Sequence, residues 1–155
     1  MIIDSSAIIA VINGEPEATQ FAHAIAAAVC RISAVNYVEA AIVADNRGEA
    51  MRNAFDTLVD EMSLIIEPVT PNQARIARQA YQIYGKGNNS KAKLNMGDCF
   101  AYALAKDLDQ PLLLKGEDFP HTDITPRTSL TDHGALLRNS LGSWCRRRRR
   151  RLGSV

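Results

Sequence analysis

The run LNMGDCFAYALAKDLDQPLLL, residues 94–114, holds both kinds of element from which this chain is built. Its first part reads as a helix over Asn95–Asp109. Asn95 is a good N-cap, and Phe100, Ala101, Leu104, Ala105 and Leu108 recur at helical spacing along one apolar arc. Its end, Pro111–Leu114, is a short apolar run behind a proline, the pattern of a buried strand. Asp98 falls in the first turn, at the edge of the apolar arc and not on the polar face. A carboxylate there favours the helix dipole and can cap a free N–H. For this segment alone, that account suffices.

The same alternation runs through the chain. Met1–Asp4 reads as a short buried strand, Ser6–Asn13 as a helix, and Gly14–Pro16 as a break. An alanine-rich helix over Glu17–Val29 leads to a strand at Cys30–Ser33 and a helix at Ala34–Asn46. Glu49–Met62 is helical, Leu64–Pro68 an apolar strand. TPNQ (70–73) combines a Thr N-cap, a Pro at the first helical position and a Gln three residues after the cap, a capping box that opens a helix to about Tyr84. Gly85–Lys93 is a polar loop, and a last short strand is expected near Thr122–Thr125. Short apolar strands alternating with helices predict an α/β fold: one domain with a central parallel sheet of about five strands and helices on both faces.

Composition narrows the function classes. The chain has 155 residues, 46% of them hydrophobic, which suits one compact core and excludes a disordered chain. The longest stretch without a formal charge, Ala18–Cys30, is too short to cross a bilayer, and MIIDSSAIIA (1–10) lacks the basic start of a signal peptide. Three cysteines with no C-x-x-C pair imply a reducing, cytoplasmic setting and argue against a zinc framework, as do three scattered histidines. Residues 1–126 carry 10 Lys/Arg against 16 Asp/Glu, a net of −6, whereas 127–155 carry 8 Arg and one Asp. Six consecutive arginines at 146–151 should be solvated. They could serve as a nucleic-acid arm, but the abrupt break in composition favours a disordered tail or an extension foreign to the domain.

The carboxylates carry the functional signal. In open parallel α/β sheets, ligands sit beyond the carboxyl ends of the strands. Asp4 follows the first strand directly, Asp118 follows Pro111–Leu114 by a few residues, and Asp98 opens the helix before that strand. Each taken singly could merely cap a helix or shape a turn. Glu39 is the only charged residue between Arg31 and Asp45. At 100° per residue it shares a face with Val35, Val38, Ile42 and Val43, which predicts a carboxylate within an apolar arc. Leaving such a group buried and unpartnered costs about 3–5 kcal/mol, so it must be neutral, ion-paired or bound to a cation. Asp4, Glu39, Asp98 and Asp118 explain one another if they share one edge, because like charges there call for a divalent cation. Oxygen-only ligands select Mg²⁺, with Mn²⁺ as substitute, over zinc. That chemistry suits metal-assisted phosphodiester hydrolysis. A domain of net −6 also needs local cations to hold an anionic substrate. The candidates are Lys86, Lys91 and Lys93, in the loop leading to Asp98, and Lys115 beside Asp118.

MIIDSSAIIA, NYVEAAIV (36–43), LNMGDCFAYALAK and PLLLKGEDFPHTDI (111–124) together resemble the PIN-domain ribonucleases, and among them the VapC-type toxins of prokaryotic toxin–antitoxin operons. The resemblance spans residues 1 to about 126. It implies that Asp4, Glu39 and Asp98 are the first three acidic positions and that Ser6 is the hydroxyl accompanying the first Asp. For the fourth acid, KGEDF offers Glu117 and Asp118, with Asp123 nearby; Asp118 is taken because it immediately precedes the Phe. The resemblance further implies Mg²⁺-dependent RNA cleavage, homodimerisation and neutralisation by a cognate antitoxin. Two alternatives compete. A haloacid-dehalogenase-like phosphatase needs a second Asp two residues after the first, where this chain has Ser6. A catalytically inactive PIN-like RNA-binding module would lack a central acid, and all those positions are filled.

Overall fold

The computed structural model describes residues 1–124. Four short strands, β1 (Ile2–Ile3), β2 (Arg31–Ser33), β3 (Ile65–Glu67) and β4 (Leu112–Leu113), form one parallel sheet in the order β3-β2-β1-β4. Six helices connect them: α1 (Ser5–Asn13), α2 (Ala18–Ala26), α3 (Ala34–Asn46), α4 (Glu49–Glu61), α5 (Pro71–Tyr84) and α6 (Met96–Leu108). A 3₁₀ turn follows at Phe119–His121.

Side chains alternate across a strand, so neighbours in β1 and β4 feed opposite cores. Ile3 and Leu113 pack with Ile32, Ile8, Phe55 and Leu58 beneath α1 to α4. Ile2 and Leu112 pack on the other face with Leu94, Leu104 and Phe119, beneath α5 and α6. Burial on both faces is why these strands read as unbroken apolar runs.

The structure corrects several sequence expectations. The sheet has four strands among the described residues, not about five: Thr122–Ile124 is irregular and Thr125 lies outside the described residues, as do the domain boundary near 126 and the arginine-rich segment 127–155. The second helix stops at Ala26, short of Val29. β3 is an edge strand whose Ile65 and Ile66 remain exposed.

The largest correction concerns α3. Its buried residues are Asn36, Ala40 and Ala44, not the arc of Val35, Val38, Ile42 and Val43. Val38 and Ile42, one turn apart, are 51% and 53% exposed. Helical periodicity reports a face, and here the more apolar face is the one that the other described residues leave partly uncovered. Alanines fill the buried face because α3 packs closely against α1, α4 and α6.

The loop before α6 is anchored. Gly85 and Leu94 form a parallel bridge, with Lys86 N–H donating to Leu94 O (2.9 Å) and Leu94 N–H to Tyr84 O (2.9 Å). Ala92 and Leu94 are fully buried. Lys86, Lys91 and Lys93 are exposed, interleaved with these anchors, and none forms an ion pair among the described residues.

Candidate active site

The site lies where the strands end and helices begin. Asp4 extends the β1–β4 ladder through its N–H, which donates to Leu113 O (2.9 Å), and then becomes the N-cap of α1. Its Oδ2 accepts from Ser6 N–H (2.9 Å) and from the Ser6 hydroxyl; its Oδ1 accepts from Asn36 Nδ2 (3.2 Å). The carboxylate is nearly inaccessible, 2% exposed. Burial pushes its pKa above the ordinary carboxylate range, assisted by the charge of Glu39 and opposed by the bonds from Ser6.

Asp98 reaches the same place from α6. Asn95 and Asp98 form a reciprocal capping box: Asn95 Oδ1 accepts from Asp98 N–H (3.0 Å), and Asp98 Oδ2 accepts from Asn95 N–H (2.7 Å). The capping role read from the sequence is therefore present, and it occupies one oxygen. Desolvation, and then the charges of Asp4, Glu39 and Asp118, push the pKa of Asp98 up to about 6 against the lowering bond from Asn95. Carboxylates from three other chain segments thus bear on Asp98.

Glu39 sits on α3 one turn beyond Asn36. Its Oε2 accepts from the Ser5 hydroxyl (2.7 Å) and lies so near Gly97 that a Cβ there would overlap it. With glycine here, α6 begins this close without displacing the Glu39 carboxylate, which any Cβ would have to push aside. Asp118 is exposed at the head of the 3₁₀ turn and pinned by its neighbour Phe119, which is 3% exposed. Of the other acids considered for the fourth position, Asp123 accepts from Tyr102 OH (2.6 Å) and Lys106 Nζ (3.0 Å), which lower its pKa. Glu117 is exposed, and the neighbouring charges that act most strongly on Asp98 are those of Asp4, Glu39 and Asp118.

Two expected substrate contacts are otherwise engaged. Ser6 turns its hydroxyl onto Asp4 and accepts from the Lys115 N–H (3.0 Å), so it orients the carboxylate and links β4 to it. The Lys115 ammonium pairs with Glu15 and with Glu17 (3.2 Å) in the α1–α2 connection. Sequence reading overlooked Ser5, Asn36 and Gly97. Gly97 carried a signal: glycine in the first turn of an alanine-rich helix costs about 1 kcal/mol relative to alanine, which implies a close approach.

The donors gathered here are all oxygen. No three His, Cys, Asp or Glu side chains among the described residues are spaced to hold a metal ion by themselves. Mg²⁺ does not demand that, because it keeps several waters and binds through one or two carboxylates plus substrate phosphates. Asp4 and Asp98 could hold such an ion, with Glu39 and Asp118 adding negative charge around it. The negative charges that add to burial in raising the pKa of Asp4 and Asp98 mark a place where positive charge is favoured.

This electrostatic strain has a readable consequence. A carboxyl whose folded pKa is raised binds more protons folded than unfolded, so stability falls as pH climbs from the unfolded toward the folded value. For Asp98 that window runs from 3.8 to about 6. Asp123, with its lowered pKa, acts in the opposite sense and below that window. In EDTA, the urea midpoint of the protein should be lower at pH 7 than at pH 5. Asp98→Asn should raise the midpoint at pH 7 and flatten the dependence; an unchanged slope would show that Asp98 does not carry it.

Comparison with known proteins fits this architecture. The PIN domain family model matches residues 1–124. Ribonuclease VapC28 of Mycobacterium tuberculosis is 48% identical over 126 residues, covering 80% of this chain and 95% of the relative. Ribonuclease VapC42 of the same organism is 42% identical over 128 residues, 81% of this chain and 98% of the relative. The crystal structure of Mycobacterium tuberculosis VapC20, a sarcin–ricin loop cleaving toxin, superposes with a TM-score of 0.64 at 14% identity, covering 80% of this chain and 95% of that one. The chain therefore belongs to the PIN-domain ribonuclease family, in its VapC branch.

Proposed function

We propose that the chain is a Mg²⁺-dependent endoribonuclease toxin that hydrolyses RNA phosphodiester bonds at the acidic cluster and is held in check by a cognate antitoxin. The observation that carries this reading is the electrostatic coupling of Asp98 to Asp4, Glu39 and Asp118 at one end of a parallel sheet. The names of the VapC relatives supply the reaction class. Their 42–48% identity extends over nearly their whole length.

Asp4 and Asp98 would hold the ion, and Glu39 and Asp118 complete its negative surroundings. Bound there, Mg²⁺ or Mn²⁺ supplies Lewis-acid activation of water and charge neutralisation at a phosphate. Ser6 holds the Asp4 carboxylate in one orientation, and Ser5 does the same for Glu39. Lys86, Lys91 and Lys93 offer phosphate contacts from the anchored loop ahead of α6. Val38 and Ile42 on α3 form an apolar surface that a two-fold homodimer would cover.

Asp4→Asn and Asp98→Asn should each abolish cleavage of total cellular RNA while the chain stays folded. EDTA should silence the unaltered protein, and Mg²⁺ or Mn²⁺ should restore it. Full activity in chelator, or in either variant, would defeat the assignment.

Changing Lys86, Lys91 and Lys93 together to Ala should weaken RNA binding and flatten its dependence on salt. On single-stranded RNA the slope should fall by up to about 0.7 for each phosphate that is no longer neutralised. A chain ended after residue 126 is the proper host, because six consecutive arginines at 146–151 would bind RNA nonspecifically and mask the loss. An unchanged slope would remove the loop from the binding surface.

Sedimentation at tens of micromolar, an ordinary range for homodimer affinities, should find a dimer that Val38→Asp with Ile42→Asp converts to monomer. A monomeric unaltered chain at that concentration would rule the dimer out.

A further inference from the structure

We propose that Asn36 is a positioning residue for the acidic site, its amide tying the Asp4 carboxylate to the first turn of α6 and so setting the separation of Asp4 and Asp98. The inference rests on the metal-nuclease reading above and adds to it a residue that acts through the ligands.

Asn36 lies in the first turn of α3 and is 0% exposed. Its Nδ2 donates to Asp4 Oδ1 (3.2 Å) and to Gly97 O (3.1 Å). A carboxylate and a backbone carbonyl only accept, so the orientation of the amide is dictated by its neighbours. Both hydrogens of Nδ2 are thus used, one on each element. The Oδ1 of the same amide is buried without a hydrogen-bond partner among the described residues. An orphaned buried acceptor is a cost that an apolar side chain of similar size would avoid. Stability of α3 therefore does not account for an amide here, since the other buried positions of this helix, Ala40 and Ala44, are alanines.

The chemistry of the neighbours does account for it. A lysine or arginine in this place would neutralise Asp4 and compete with a cation; an acid would add to the repulsion. A neutral group with two donors fixes the carboxylate and leaves its charge available. Gly97 completes the brace from the opposite side, since any Cβ there would collide with the Glu39 carboxylate. Asn36 draws α3 and α6 together, and Gly97 permits the approach. Outer partners of this kind commonly set metal affinity by about tenfold to a hundredfold.

The test uses the full chain, stripped with chelator and titrated with Mn²⁺ by calorimetry, alongside thermal melting and the rate of total RNA cleavage. Asn36→Leu removes the orphaned acceptor but leaves Asp4 Oδ1 and Gly97 O without their shared donor, so it should still melt cooperatively, at a lower temperature than the unaltered chain. It should nevertheless bind Mn²⁺ at least about tenfold more weakly, with a matching loss of cleavage. Gly97→Ala, a helix-favouring change, should give the same loss of affinity by displacing Glu39. A purely structural role for Asn36 would move the melting temperature and leave the Mn²⁺ affinity alone. Folded variants with unaltered Mn²⁺ binding would overturn the proposal, as would an Asn36→Leu chain that fails to fold together with a Gly97→Ala chain of normal affinity. An unaltered chain that takes up no Mn²⁺ and cuts no RNA defeats the metal-nuclease reading itself, a result distinct from variants that match an active parent.

Discussion

Everything at the functional end of this molecule depends on two helix starts that are capped by carboxylates within each other's field. Asp4 caps α1 as it leaves β1, and Asp98 closes the box at the start of α6. Because each is held by backbone N–H groups, neither can swing away from the other as a long surface side chain would. Their repulsion is built into the backbone path. Desolvation by burial is the main reason both carboxyls resist ionisation, and neighbouring carboxylates add to it, Glu39 for Asp4 and Asp4, Glu39 and Asp118 for Asp98. A site held in this way needs little reorganisation to receive a cation, at the expense of stability when none is bound.

The fold was legible to the extent that its signals are local. The capping box at Thr70–Gln73 and the asparagine before α6 mark helix starts through hydrogen bonds within four residues, and both form as expected. Apolar runs such as Ile2–Ile3 and Leu112–Leu113 announced strands buried on two faces. What periodicity could not supply is the identity of whatever covers a face. On α3 the arc through Val38 and Ile42 read as core, yet the close-packed side is made of Asn36, Ala40 and Ala44. Small residues there allow α1, α4 and α6 to approach, and small residues have little hydrophobic signature. Asn36 went unnoticed for the related reason that a lone amide in a helix has no pattern until its acceptors, 32 and 61 residues away, are in place.

The acids near the end of the described chain show where spacing stops being informative. Glu117, Asp118 and Asp123 all follow β4 within ten residues. The structure separates them by what each touches. Asp123 is committed to Tyr102 and Lys106, a tie that secures the segment after the 3₁₀ turn against α6. Asp118 caps nothing with its side chain, stands next to the buried Phe119, and adds its charge to those that raise the pKa of Asp98. An aromatic anchor beside an uncommitted carboxylate holds that carboxylate at a defined place without consuming it.

Capping explains why polar residues stand at positions 4 and 98, but not why they are acids. Elsewhere the side chains that cap helix starts are neutral: Ser33 for α3, Thr70 for α5 and Asn95 for α6. Asparagine caps about as well as aspartate, and Gln73 performs at the third position of α5 the task that Asp98 performs in α6. Amides at both acidic positions would satisfy the same N–H groups without the mutual repulsion. The carboxylates therefore exceed what the helices require, and they do so only where the two starts converge. Among the described residues, a structural device that is neutral at the other side-chain caps takes on charge where the two starts converge, the place assigned above to the proposed cation. Strain of this sort, retained where neighbouring packing enforces it, is the expected mark of a functional site.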